Sequence, residues 1–402
     1  MKVLQICNKP PQPQVDGGCI AINTLSNGLL EKGVLLKILT VATEKHPYLE
    51  SEIDAEFAKK TKLEAVHLDT RINVIDAFSA LVTADAYNVS RFFSTDFDKR
   101  LRELLTSDSY DIVHLESLFT TPYIDTIRRF STAKIVLRSH NLEHLIWQRL
   151  ANSTGNKAKK IYLRHLASRL KTYEEKTVKQ VDGIAAISFD DTNRFRQIPE
   201  AAPVVTIPFG IKLEKYIPAN KAVGKTVQFC HIGAMNWEPN KEAVSWLLDE
   251  IWPLLKNEDA ELHLAGRKMP AYISDFADDK LIVHGDVENA LDFMNQQDVM
   301  VVPLLSGGGM RIKIMEAMAL GKAVITTKLG AEGIDCKNNE NILIADSSED
   351  IAGLMKSLSQ DKEKISRIGT NARKLVEKNY RHAKIMDDLI AFYQRMLDQP
   401  KG

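Results

Sequence analysis

The run Val299-Met300-Val301-Val302-Pro303 leads through Leu304, Leu305 and Ser306 into Gly307-Gly308-Gly309-Met310-Arg311-Ile312-Lys313-Ile314-Met315-Glu316-Ala317-Met318-Ala319-Leu320-Gly321. The first part is a short, wholly apolar, β-branched stretch, which reads as a buried strand. From Met310 the pattern turns helical, and Gly321 ends it. Three glycines before a helix let the chain approach a ligand closely and leave the first backbone N–H groups of the helix available. With Arg311 and Lys313 beside it, such a helix N-terminus suits a diphosphate. Glu316, over a turn further in, can accept two hydrogen bonds from neighbouring hydroxyls, as on a ribose. The plainer reading is a flexible loop and a helix on which Lys313 and Glu316 pair at i,i+3.

The same alternation extends in both directions. Strand-like runs cover residues 226–232, 261–265, 281–285, 323–327 and 342–345 around this segment. An earlier series covers 2–8, 34–41, 64–69, 111–116, 134–139, 183–188 and 204–208. Helical stretches such as 20–32 and 157–181 separate most of them. Strands alternating with helices specify a parallel sheet covered on both faces. The weakly patterned stretch 210–225 carries Pro218, Ala219, Asn220 and Gly224 and marks a seam. The expected organisation is an N-terminal domain over 1–210, a second over 211–381, and a final helix, 382–402, able to pack back on the first.

Composition narrows the class. The chain has 402 residues, 44% hydrophobic and 26% charged, which suits two globular domains. Lys+Arg and Asp+Glu both total 53, so bulk charge offers nucleic acid no footing. Cys7, Cys19, Cys230 and Cys336 lie far apart in sequence, without metal-ligand spacing, and read as reduced thiols. No signal-peptide core or membrane-length apolar run occurs, so the expectation is a cytoplasmic protein. No Gly-x-Gly-x-x-Gly follows the first strand, which argues against a dinucleotide dehydrogenase.

Residues 307–321, continued by Ala323-Val324-Ile325-Thr326-Thr327, Gly330-Ala331-Glu332-Gly333-Ile334 and Asn341, resemble the retaining glycosyltransferases of GT-B fold, the large family of group 1 glycosyl transferases. The resemblance implies an α/β fold of two Rossmann-like parallel-sheet domains facing a central cleft that holds the active site. It implies a nucleotide-sugar donor as co-substrate, no cofactor and no metal. The acceptor would be a glycan, a lipid-linked or a small-molecule hydroxyl. In that family the Glu corresponding to Glu316 binds the ribose, and Gly307, Gly308, Gly309 and Met310 supply backbone groups to sugar and phosphates. Val287, with Asp286, follows the run 281–285, where backbone groups read the base.

Two departures stand out. Many members carry an acid where this chain has Gly308. Many carry Arg and Lys after the first strand of the second domain, where this chain reads Gly233-Ala234-Met235-Asn236-Trp237-Glu238-Pro239-Asn240. Ala234 and Pro239 stand in their places, so Arg311 and Lys313 are expected to carry the diphosphate charge. Arg267 and Lys268 read as surface residues.

In the first domain, Gly17 and Gly18 resemble the family's paired-glycine loop over the donor phosphates. His140, in Arg138-Ser139-His140-Asn141-Leu142-Glu143, resembles the His that contacts the transferred sugar, with Asn141 and Glu143 on the acceptor side. The segment 157–181 is basic and amphipathic, which reads as a solvated face or as peripheral contact with an anionic membrane. The acceptor-facing loops, 44–62 and 74–94, are the least readable. The activity implied is sugar transfer in polysaccharide or glycolipid synthesis. A nucleotide-sugar epimerase of the same fold, or an inactive nucleotide-sugar-binding protein, remains an alternative.

Overall fold

The computed structural model describes residues 1–69, 87–219 and 222–398. Residues 74–86 of the second acceptor-facing loop lie outside the described residues. The chain forms two compact units, Met1–Pro208 together with the C-terminal segment from Ala383, and Phe209–His382.

The first unit holds a seven-stranded sheet, β1 (Lys2–Cys7), β2 (Leu35–Ala42), β3 (Glu64–His67), β4 (Ile112–Glu116), β5 (Lys134–Ser139), β6 (Gly183–Ala186) and β7 (Val204–Thr206), in the order β3-β2-β1-β4-β5-β6-β7. Every pairing is parallel. The register puts Cys7 beside Glu116 and Glu116 beside Arg138, so the carboxyl ends of β1, β4 and β5 line up. The helices that serve this end are α1 (Gly17–Glu31), α2 (Glu143–Ser153) and α3 (Lys157–Thr177).

The second unit repeats the plan with six strands, β8 (Val227–Ile232), β9 (Ala260–Ala265), β10 (Leu281–Gly285), β11 (Val299–Val302), β12 (Ala323–Thr326) and β13 (Leu343–Ile344), in the order β10-β9-β8-β11-β12-β13. All of its pairings are parallel as well. Its principal helices here are α4 (Glu238–Trp246), α5 (Ile312–Ala319) and α6 (Lys362–Asn379). In both sheets the order reverses once, between β1 and β4 and between β8 and β11. Sheets of this kind bind ligands at that reversal, beyond the strands' carboxyl ends.

The last helix, α7 (His382–Asp398), is amphipathic, and from Ala383 it belongs to the first unit. Its apolar stripe, Ile385, Met386, Leu389, Phe392, Tyr393 and Met396, joins the core of Val3, Cys7, Ile22, Val136 and Ala185 on one face of the first sheet. The fit is close: a Cβ on Gly183 would stand 2.6 Å from Cζ of Phe392. The opposite face packs Leu4, Ile6, Leu115, Leu137 and Ile184 against the helix Thr95–Ser107 and its neighbours.

Two expected boundaries move. Gly17 and Gly18 form the first turn of α1, not a loop before it, because Asp16 caps the helix and accepts from Cys19 N at 2.9 Å. The expected helix from Met310 begins at Ile312, since Arg311 is extended (φ −86°, ψ 92°).

Candidate active site

Each unit gathers polar side chains at its own sheet reversal. In the second unit, β8 ends in His231 and Ile232, and the chain turns through Gly233 towards α4. A side chain at Gly233 would meet the Asn240 amide at 2.6 Å, and Asn240 Nδ2 in turn donates to the Ala234 carbonyl at 2.9 Å. Across the reversal, β11 opens into the triglycine turn. Gly307 has φ +101° and Gly309 φ +81°, a region that favours glycine. A Cβ on Gly307 would also come within 3.1 Å of the Trp237 ring.

Two cations at the start of α5, Arg311 just before it and Lys313 in its first turn, stand at this corner. Lys313 Nζ donates to the Ile232 carbonyl at 3.0 Å and to Asn240 Oδ1 at 2.8 Å, and lies 3.4 Å from His231 Nε2. His231 Nδ1 lies 2.8 Å from the Val301 carbonyl, which makes it the donor nitrogen and leaves Nε2 to face the ammonium. Burial, reinforced by Lys313, keeps this imidazole neutral. Burial and the neighbouring Arg311 depress Lys313 to about 7. Arg311, itself buried, donates to the Gly308 carbonyl and sits 5.7 Å from the Trp237 ring centroid. The position where many relatives place an acid thus offers a backbone carbonyl to the guanidinium instead.

The i,i+3 pairing of Lys313 with Glu316 does not form. Glu316 accepts from the Tyr216 hydroxyl at 2.9 Å, and burial raises its pKa against that bond. Tyr216 is held by Arg373 of α6, whose NH1 donates to the Tyr216 carbonyl at 2.6 Å and also to Ala319 at the end of α5. Met310 lies in the turn before Arg311, half-buried. Val287 follows the edge strand β10, with β9 between that strand and β8. Arg267 and Lys268 are exposed.

In the first unit, Asp16 binds Lys9 Nζ at 2.9 Å and His46 Nε2 at 2.8 Å. Burial opposes its charge, but His46 and Lys9 hold its carboxyl far below the ordinary range. Lys9 passes over Gly18, where a Cβ would stand 2.6 Å from Nζ. The fold also brings one ligand atom each of Asp16, Cys19 and His46 within 4.8 Å, a grouping that sequence spacing conceals. A cation there would have to displace the Lys9 ammonium.

His140 follows β5, and its Nε2 lies 2.7 Å from Glu116 of β4, which is fully buried. Asn141 Nδ2 reaches Glu143 Oε1 at 3.4 Å. Burial and the nearby Glu174 raise Glu143 to about 7. Glu174, on α3, accepts from the backbone N–H groups of Glu143 and His144 at 2.8 and 3.2 Å, fixing the start of α2.

Sequence reading passed over Glu116, Tyr216, Lys9 and Arg373. Glu116 had a visible signal, because Ile112-Val113-His114-Leu115-Glu116 carries two ionisable residues in a strand otherwise apolar. Tyr216 and Arg373 had none, being 157 residues apart in the chain.

Residues 226–361 match the model of the glycosyl transferases group 1, which includes the whole triglycine turn and α5. A Klebsiella pneumoniae protein described as an uncharacterized 44.6 kDa protein in the cps region is 24% identical over 72% of this chain and 76% of its own. Among solved structures, sucrose-phosphate synthase from Thermosynechococcus elongatus superposes with TM-score 0.71 at 15% identity, over 98% of this chain and 99% of that one. The Anabaena protein HepE, solved with UDP and glucose, gives TM-score 0.63 at 12% identity, over 97% and 99%. No helix among the described residues is long and apolar enough to cross a membrane. The two doubly wound sheets give this chain the GT-B fold, and its second unit carries the match to the glycosyl transferases group 1.

Proposed function

We propose that the chain moves a sugar from a nucleoside-diphosphate sugar to a hydroxyl acceptor with retention of anomeric configuration, in polysaccharide or glycolipid synthesis. The carrying observation is Lys313, a half-buried amine at the sheet reversal whose three contacts are all uncharged. Beside Arg311 and a turn of positive-φ glycines, that is the electrostatics of an anion site. In the reaction the bond from the sugar's anomeric carbon to the phosphate oxygen breaks. The acceptor oxygen forms its bond from the same face, and its proton passes to the departing phosphate. Arg311, Lys313 and the amides of Gly307, Gly308, Gly309 and Met310 stabilise the charge gathering on the leaving group.

Glu316 takes the ribose hydroxyls, exchanging the Tyr216 hydrogen bond for theirs, while Gly233 lets the chain pass close to the diphosphate and the backbone at Val287 meets the base. In the first unit Gly17 and Gly18 serve the donor phosphates, His140 the transferred sugar, and Asn141 and Glu143 the acceptor. The relative named for the cps region and the UDP-bound HepE support this reading. Exposed Ile161 and Tyr162 beside exposed Lys157 and Lys159 on α3 support peripheral contact with an anionic membrane.

The test is calorimetry with UDP-, GDP- and ADP-sugars in buffers of different ionisation enthalpy. Binding of the right nucleotide should draw up to about one proton near pH 8, because an anion restores the charge of a lysine held near 7. Lys313→Met should weaken that binding roughly tenfold or more. Binding without proton uptake, or at wild-type strength in the variant, would remove Lys313 from the site. Product analysis separates the alternatives: an altered sugar without acceptor indicates an epimerase, and binding without turnover indicates an inactive binder.

A further inference from the structure

The first unit contains a fully buried carboxylate that the proposed chemistry leaves unused. Glu116 Oε1 accepts from Gln5 Nε2 at 2.8 Å and lies 3.2 Å from His114 Nε2. Its Oε2 lies 2.7 Å from His140 Nε2 and 3.4 Å from Arg138 NH1. Burial opposes the charge, yet Arg138 and the two histidines hold the carboxyl well below its ordinary range. An ionised carboxylate only accepts, so each of these nitrogens must present a proton to it.

That requirement propagates. His114, with Nε2–H turned to Glu116, keeps Nδ1 as an acceptor, and the Tyr393 hydroxyl of α7 lies 2.5 Å from it. The Ser26 hydroxyl of α1 donates to Gln5 Oε1 at 2.7 Å, which turns the amide's NH2 towards Glu116. Ser26, Gln5, His114, Glu116 and Arg138 are each no more than 2% exposed, while the His140 side chain keeps 18%. In the chain Tyr393–His114–Glu116–His140 the donors therefore converge on Glu116, Tyr393 and His114 from one side and His140 from the other, and His140 is the member that reaches the surface.

We infer that Glu116 is a positioning residue that locks His140 in the Nε2–H tautomer, and that Tyr393 of the C-terminal helix sets this lock through His114. His140 then offers Nδ1 as a hydrogen-bond acceptor, suited to a hydroxyl of the bound sugar and unsuited to a phosphate oxygen. The catalytic consequence rests on the transferase reading above; the tautomer does not.

The experiment is two-bond 1H–15N spectroscopy of the histidine rings in the full-length protein, with His140 assigned by its loss in His140→Gln. The Nε2–H pattern is expected for His140 in the wild type. Glu116→Gln should mix the tautomers and lower turnover roughly ten- to a hundredfold, with nucleotide affinity unchanged. Loss of the carboxylate also removes the interaction that raises the His140 pKa, so the acidic limb of the pH–rate profile should move to lower pH. Tyr393→Phe removes a single hydroxyl and should shift the His114 and His140 rings in the same sense, and it decides the matter if Glu116→Gln does not fold. An Nδ1–H ring at His140 in the wild type, or rings unchanged in the folded variants, overturns the inference. A locked Nε2–H tautomer in a protein without transfer activity would count against the transferase reading alone.

Discussion

Lys313 and Glu143 are both displaced to about 7, from opposite directions and for the same reason: burial penalises whichever form is charged. For Lys313 the compensating anion is the proposed substrate. For Glu143 the neighbouring Glu174 adds to the penalty, so ionisation costs stability. With its folded pKa above the unfolded value, Glu143 contributes stability that is full below the ordinary glutamate range and is lost as pH rises through 7. Glu143→Gln should therefore raise the melting temperature at pH 8 and leave it nearly unchanged at pH 4. The Gln side chain still accepts from Asn141, so an equal effect at both pH values would point to packing rather than charge.

At the scale of elements, α5 is short, and its position depends on what holds its end. Arg373 of α6 donates to the Ala319 carbonyl, where the helix presents unsatisfied acceptors and the negative end of its dipole. Gly369, one turn earlier in α6, lets the two segments meet, since a Cβ there would stand 2.0 Å from the Gly321 carbonyl oxygen. Gly369→Ala must push α6 away from the end of α5 and should cost about 1–3 kcal/mol in chemical denaturation. Gly353→Ala, in the helix Ser348–Gln360, meets nothing within 4 Å and should be neutral or stabilising by up to about 1 kcal/mol. Similar losses for the two would mean that the contact at Gly321 does not constrain α5.

For the molecule as a whole, α7 joins the core of the first unit across the whole length of the second. Leu389 and Tyr393 are fully buried, and Phe392 and Met396 are 2% exposed. A chain ending at Arg381 would leave that face of the sheet bare over Val3, Val136 and Ala185, apolar surface worth roughly 25 cal/mol per Å2. Truncation should give a protein that aggregates or melts far below the full chain, judged by soluble yield and thermal scans. The milder Phe392→Ala should cost about 3–5 kcal/mol. A truncated chain melting like the intact one would show that α7 is only appended.

Sequence alone determined the repeating strand–helix order, the position of the thirteen strands among the described residues to within a residue or two, and the glycine turn before Arg311. These are local patterns, written by the alternation of apolar residues and by the backbone demands of glycine. Only the tertiary structure decided that Lys313 turns to β8 while Glu316 turns to Tyr216, that Glu116 meets His140, and that the chain's end returns to His114. Those partnerships depend on strand register and on which helix covers which face, and on contacts between residues as far as 279 positions apart. Local periodicity holds no record of such distances; the packing of the sheets creates them.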